Sequence, residues 1–193
     1  ITTTGAIYGW GNNSKAQLSG SITNRSSPVQ IGSSAWNVVT TGSQVTLGIQ
    51  TDGTLWAWGQ NDHGETGLSS AAYYISSVTK VGALTTWLSV SAGQYHVLAT
   101  KTDGTIWAWG YGYFGQLGNN LYATGAANAS SPTQIGALTS WLRATASYDT
   151  SFALRTNGAL WSWGKGNNGQ TGLGRSEEHT SELQSRFGIS YAV

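Results

Sequence analysis

The sequence contains no cysteine, no methionine, two prolines and only 9% charged residues. Without cysteine there is neither a disulfide framework nor a thiolate metal site, and the redox compartment stays open. Without methionine there is no ordinary start residue. The chain opens on Ile1 with neither the basic region nor the apolar core of a signal peptide, so it reads as a fragment, a mature product or a trimmed piece. Low charge argues against nucleic acid, whose binders need a clustered basic face. Here Lys15, Arg25, Lys80, Lys101, Arg143, Arg155 and Lys165 are scattered, and the formal net charge is +1. No apolar run approaches the roughly 18 residues of a membrane span. Helical periodicity is absent throughout.

The chain is rich in residues that order it. It has 27 glycines, 10 tryptophans and 9 tyrosines in 193 residues, enough length for one substantial domain and too many aromatics for a disordered one. They recur in register. "GAIYGWG" (Gly5, Trp10, Gly11), "GTLWAWG" (Gly53, Trp56, Trp58, Gly59), "GTIWAWG" (Gly104, Trp107, Trp109, Gly110) and "GALWSWG" (Gly158, Trp161, Trp163, Gly164) have first glycines 48, 51 and 54 residues apart. "SPVQIG" at Ser27, "SVTKVG" at Ser77 and "SPTQIG" at Ser131 keep step, each followed by a tryptophan: Trp36, Trp87 and Trp141. Several landmarks in one order establish a tandem repeat.

Each unit reads as four short strands. Asp52-Gly53, Asp103-Gly104 and Asn157-Gly158 sit between β-prone runs and suit type I′ hairpin turns. Two further strands are expected around Val29–Gly32 and Trp36–Gly42. Strand side chains alternate, so Trp56 and Trp58 share one face while Leu55 and Ala57 share the other. A sheet with a bulky and a slim face nests against its own copy, and radial repetition of that packing is a β-propeller. The competing use of Trp56 or Trp107 is an aromatic ligand cage.

These motifs, with the loops "GQNDHGETGL", "GYGYFGQLG" and "GKGNNGQTGLG" that follow them, resemble the regulator of chromosome condensation repeat. The resemblance spans about Gly5 to Gly174 and implies a seven-bladed propeller with four strands per blade. The first unit departs from the family loop with "AQLSG", and a strand histidine common in the family survives only as His96, with Val45 and Thr150 at the matching places. The expected fold is all-β, an open arc of about three to three and a half four-stranded blades, with the remaining blades of a longer parent needed for closure.

Residues 1–174 form this repeat region; residues 175–193 break from it. "RSEEHTSELQS" (Arg175–Ser185) and "ISYAV" (Ile189–Val193) read as the in-frame translation of a common short-read sequencing adapter on either side of an index-sized gap at Arg186, Phe187 and Gly188. The stretch is expected not to be native, and His179 and its glutamates are given no functional weight.

Length varies mainly in the loop after the tryptophan strand, where tolerance of insertions and a binding face are equally good explanations. Those loops carry Tyr111, Tyr113, Phe114, Tyr73, Tyr74 and Tyr122. Exposed tyrosines suit protein or sugar recognition, and covering the rim between blades is the competing use. Asp62, His63 and Glu65 are metal-competent residue types, yet sister loops hold "YGYFG" and "GNNGQ" there, so a polar loop variant is expected. His96 is expected to pack and hydrogen-bond rather than act as a base. "GKGNNGQTGLG" lacks the ending of a phosphate loop. The expected function is a non-enzymatic binding module with no catalytic residue, metal or cofactor, recognising a protein or glycan partner through variable rim loops. The family resemblance adds guanine-nucleotide exchange on a small GTPase as an alternative, and a carbohydrate-binding rim is a third. A charge-poor Ser/Thr/Asn/Gly surface leans toward an extracellular or particle-surface setting.

Overall fold

The computed structural model describes residues 1–119 and 128–172; Tyr122 and the stretch 175–193 lie outside the described residues. All regular structure among the described residues is strand: β1 (Tyr8–Gly11), β2 (Arg25–Gln30), β3 (Trp36–Thr41), β4 (Val45–Gln50), β5 (Leu55–Gln60), β6 (Tyr74–Lys80), β7 (Trp87–Ala92), β8 (His96–Lys101), β9 (Ile106–Gly110), β10 (Ala129–Gln134), β11 (Trp141–Ser147), β12 (Thr150–Arg155) and β13 (Leu160–Gly164). They form four antiparallel sheets in the orders β1-β2, β3-β4-β5-β6, β10-β9-β8-β7 and β11-β12-β13. The two four-stranded sheets are complete blades. Sheet β1-β2 supplies the last two strands of a blade and β11-β12-β13 the first three, so the arc is open, as expected. The strand around Val29 begins earlier than its sequence suggests, at Arg25. Pro28 and Pro132 both lie on outer strands beside register shifts, where a missing N–H costs little.

Blades nest face to face. One cluster joins Val45, Leu47, Ile49, Leu55 and Ala57 of one blade to Trp87, Val90 and Trp109 of the next. The following seam joins Leu98, Ile106 and Ala108 to Trp141, Ala144 and Trp163, and the preceding one joins Ile7 and Ile31 to Trp36 and Trp58. Each tryptophan face thus meets the slim face of the blade before it. Within a face the rings meet obliquely, Trp36 to Trp58 at 5.7 Å and Trp87 to Trp109 at 6.1 Å between centroids. Gly48 lies directly beneath the Trp36 ring, where a β-carbon would collide with it. Trp10 stands where Trp58 stands, but no described blade precedes it, and it is 60% exposed.

Hydrogen bonds staple every seam at both rims. At one rim the indoles of Trp58, Trp109 and Trp163 donate to the carbonyls of Gln17, Glu65 and Gln116 in the preceding unit, at 2.9, 2.8 and 2.8 Å. At the other, the backbone N–H groups of Trp36, Trp87 and Trp141 donate to Gly5, Gly53 and Gly104, at 2.9, 3.2 and 3.0 Å. Those glycines close the hairpin turns. The turns differ from the expected I′ type, which needs positive φ at both central residues. Here only glycine has it, φ 76° at Gly104, and Gly104 N–H donates to Lys101 C=O, closing a three-residue loop. Asp103 stays right-handed because its carboxylate accepts the Thr105 N–H and hydroxyl, at 3.0 and 2.6 Å.

Gly104 and Gly158 share this conformation but not these surroundings. A β-carbon at Gly104 would run into the Thr139 carbonyl of the next blade, while nothing lies within 4 Å of one at Gly158. Gly158→Ala should therefore cost about 1 kcal/mol for its positive φ alone, whereas Gly104→Ala should cost about 3 kcal/mol or more by prising the seam. Urea unfolding of the two variants checks the difference.

Candidate functional site

An up-and-down blade puts its β3–β4 type turn and its β5–β6 type loop on the same rim. Backbone hydrogen bonds fix the two together identically in each blade: Gln60 N–H to Gln44 C=O at 2.8 Å, Tyr111 to Tyr95 at 2.8 Å, and Lys165 to Asp149 at 3.0 Å. The loops are also held alike from within. The side-chain oxygens of Gln17, Glu65, Gln116 and Gln170 accept the N–H two residues back, at 2.9, 2.9, 2.8 and 2.8 Å. A constant backbone thereby presents variable side chains: two glutamines in one blade, two tyrosines in the next, an ion pair in the third. Lys165 Nζ lies 3.5 Å from the Asp149 carboxylate.

The middle blade's rim is aromatic. Tyr111 lies 4.8 Å from His63 and 6.1 Å from Phe114 between ring centroids, and 6.2 Å from Tyr113 in a near-parallel stack. Tyr113 meets Phe114 edge-on at 5.4 Å, and Tyr95 meets His63 at 5.2 Å. Lys165 Nζ sits 4.6 Å from the centre of the Phe114 ring. Tyr111 and Phe114 are half-buried between blades, so part of this cluster does cover the seam. Tyr113 is 57% exposed. Burial first, and the Asp149 carboxylate second, raise the Tyr111 phenol above its usual pKa and keep it a hydrogen-bond donor.

Of the six aromatics expected at a binding rim, three converge here. Tyr73 belongs to the preceding seam, its ring under the Lys15 ammonium at 3.8 Å, and Tyr74 lies on outer strand β6 opposite Gln60. Tyr122 is outside the described residues. Sequence reading missed Tyr95 and His63 as members and Tyr148 as a further exposed rim tyrosine. Tyr95 and Tyr148 come from short turns ahead of the second strand, not from the variable loops; their signal was an aromatic in a turn where the first full blade has Ser43-Gln44. The tryptophan cage does not form at Trp107, because Lys101 Nζ already occupies that ring face at 3.5 Å.

Glu65 and His96 lie beneath the rim. Burial pushes the Glu65 carboxyl up to about 7, against the pull of the Glu65 and His63 backbone N–H groups, and Asp62 adds a smaller push. Strand register confirms that Val45, His96 and Thr150 are equivalent, opposite Gly59, Gly110 and Gly164. His96 Nε2 is 2.8 Å from Ser151 Oγ of the next blade. That hydroxyl donates its own proton to Gln116 C=O, so the imidazole must donate to it as a neutral Nε2–H tautomer. His96 is thus buried and hydrogen-bonded across the seam to a hydroxyl whose own proton is committed to Gln116.

The regulator of chromosome condensation (RCC1) repeat model matches residues 52–100 and 103–154, and a second model of that repeat matches residues 87–116 and 144–170. The chain belongs to the RCC1 repeat family. Each matched RCC1 repeat straddles two blades, since 52–100 takes in β5 and β6 of one and β7 and β8 of the next. Relatives include protein pim1 of Schizosaccharomyces pombe, 28% identical over 92% of this chain and 37% of its own length. The ultraviolet-B receptor UVR8 of Arabidopsis thaliana is 26% identical over 91% of this chain and 41% of its own, and human E3 ubiquitin-protein ligase HERC2 is 30% identical over 94% and 4%. The chain thus spans less than half the length of these relatives. The fold matches yeast RCC1 (Prp20) crystallised with Kap60 (TM-score 0.81, 24% identity, 93% of this chain and 44% of that one) and human WBSCR16 (TM-score 0.82, 22% identity, 92% and 48%). It also matches Prp20p of Saccharomyces cerevisiae, studied for binding to Gsp1p and histones (TM-score 0.80, 22% identity, 94% and 47%).

Burial holds the His96 pKa down at about 4, offset only partly by the Tyr148 backbone. The unfolded chain binds this proton from about pH 6.5 downward, so His96 withdraws stability from the folded RCC1 arc as pH falls from there toward 4, while the raised Glu65 carboxyl acts with the opposite sign over much of the same range. The His96 share of the change from pH 7.5 to pH 5 should be a loss of about 2 kcal/mol. His96→Val, the residue of the sister blade, should remove that share, so the stability of the variant relative to the unaltered chain should rise by about 2 kcal/mol between pH 7.5 and pH 5, whatever the substitution does to absolute stability. Urea midpoints at both pH values read the change.

Proposed function

We propose that this RCC1 arc is a non-enzymatic protein-binding module that meets its partner through the rim bearing Tyr95, Tyr111, Tyr113 and Phe114. The observation that carries the reading is the aromatic patch itself. Backbone bonds that repeat from blade to blade set the rim geometry, so packing does not demand aromatics there; the neighbouring blades manage with glutamines and with an ion pair. Clustered tyrosines around a half-exposed ring give large contact area at low entropic cost, the composition of interaction hot spots. Protein partners are favoured over glycans because the relatives with partners in their descriptions have protein ones: Kap60, Gsp1p and histones. Cofactor chemistry plays no part in the reading.

Purified Kap60, Gsp1p and core histones are the probes. Tyr113→Ser should weaken binding roughly tenfold or more, the loss of one hot-spot residue, while moving Tm by no more than about 2 °C for an exposed ring in a chain of this size. The triple variant Tyr111→Ser, Tyr113→Ser, Phe114→Ser should abolish binding. Unchanged binding by Tyr113→Ser, or no binding of any probe by the unaltered chain, defeats the reading. A nucleotide-release assay on Gsp1p runs alongside; acceleration of release by the chain would replace this reading with exchange activity.

A further inference from the structure

The β5–β6 loop departs from its sisters at three positions together. Where the others carry Ser14, Lys15 and Gln17, or Tyr113, Phe114 and Gln116, or Asn167, Asn168 and Gln170, it carries Asp62, His63 and Glu65. Glutamine is the residue that closes this loop elsewhere, through one side-chain oxygen and one backbone N–H. Glu65 closes it in the same way through Oε2, from His63 N–H at 2.9 Å. A neutral amide is sufficient for the turn, so the ionisable group is surplus to it. Moreover Glu65 is 1% exposed, and its Oε1 is buried with no hydrogen-bond partner. A buried carboxylate oxygen left unsatisfied calls for an occupant.

The neighbours supply one. Asp62, His63 and Glu65 each offer a ligand atom, and the three atoms lie within 4.8 Å of one another. We infer that Asp62, His63 and Glu65 form a binding site for one divalent cation of the zinc class. One imidazole nitrogen with two carboxylate oxygens is a donor set suited to zinc and its transition-metal neighbours, whereas magnesium prefers oxygen alone. Ligand atoms about 2 Å from an ion stand about 3–4 Å apart, so side-chain movements on the order of an ångström close the site.

Second partners already aim the ligands. Asp62 Oδ1 accepts from Gln60 Nε2 at 2.6 Å, and the His63 ring rests on Tyr95 and Tyr111. Glu65 is oriented by its Oε2 bond, which leaves Oε1 for the ion. The loop is stiffened by Asn61, whose side chain donates to the Ser70 and Ala72 carbonyls at 2.9 and 3.0 Å and accepts from Thr66. The inference stands independently of what the aromatic rim binds. The competing occupant is a single proton shared by the Glu65 and Asp62 carboxyls.

Calorimetric titration of the full chain with zinc chloride, with magnesium chloride in parallel, distinguishes the two. His179 and the glutamates of the closing stretch are also zinc-competent residue types, so the substitutions carry the decision and not the stoichiometry. Zinc, and not magnesium, should bind and raise Tm by mass action. Glu65→Gln installs the sister residue and preserves the turn; His63→Phe installs that of the next loop. Each should weaken zinc binding by more than the roughly 10–100-fold that loss of an outer partner costs, and remove the zinc-induced rise in Tm. Zinc affinity unchanged in both variants, equal binding of magnesium, or no zinc binding by the unaltered chain overturns the assignment.

Discussion

Every described blade depends on one asymmetric contact, the seating of a tryptophan face on the slim face of the blade before it. The contact works because strand alternation puts Trp56 and Trp58 on one side and Leu55 and Ala57 on the other, leaving neither face self-complementary. Only the next unit's opposite face completes it, and so a single unit has no core of its own. Removing one such indole would cost about 3–5 kcal/mol in buried surface and cavity. The hydrogen bonds at the two ends of each seam then select one depth of nesting. An indole N–H must reach a loop carbonyl at one rim while a backbone N–H reaches a turn glycine at the other.

That division of labour leaves the rim side chains free to vary. The loop closing on Gln17, Glu65, Gln116 or Gln170 keeps its form whether the residue two positions before it is lysine, histidine, phenylalanine or asparagine. The β3–β4 type turn keeps its backbone bond to the loop whether it shows glutamine, tyrosine or aspartate. Chemistry can therefore be changed blade by blade without repacking the interior. The aromatic patch of the middle blade and the Asp62, His63 and Glu65 group beside it exploit this freedom at adjacent positions on one rim.

Much of the fold was legible in the order of residues, and the failures have local causes. The two-faced strands and the equivalence of Val45, His96 and Thr150 follow from counting along the repeat, and strand positions follow to within a few residues, the outer strand at Val29 starting early at Arg25. The turn type did not follow. Asp-Gly is compatible with several hairpins, and the one formed is chosen by Thr105 and Thr54, whose N–H and hydroxyl groups hold the aspartates right-handed. Site membership was legible only in part. Tyr111, Tyr113 and Phe114 are close in sequence and announced themselves, whereas Tyr95 and His63 join them from a different turn and a different blade. Tyr73, which shares a loop class with them, faces the preceding seam beside Lys15.

The amino-acid order by itself determined the repeat, the strand class and which face of each strand is bulky, because those properties depend on local spacing and on the two-residue period of an extended chain. Tertiary structure decided which side chains meet across a seam, since those meetings depend on how far one sheet rotates and sinks onto the next. It also decided that Glu65 is buried with one oxygen unsatisfied and that His96 is neutral. Both are consequences of desolvation by a neighbouring blade, and no stretch of sequence around either residue contains that blade.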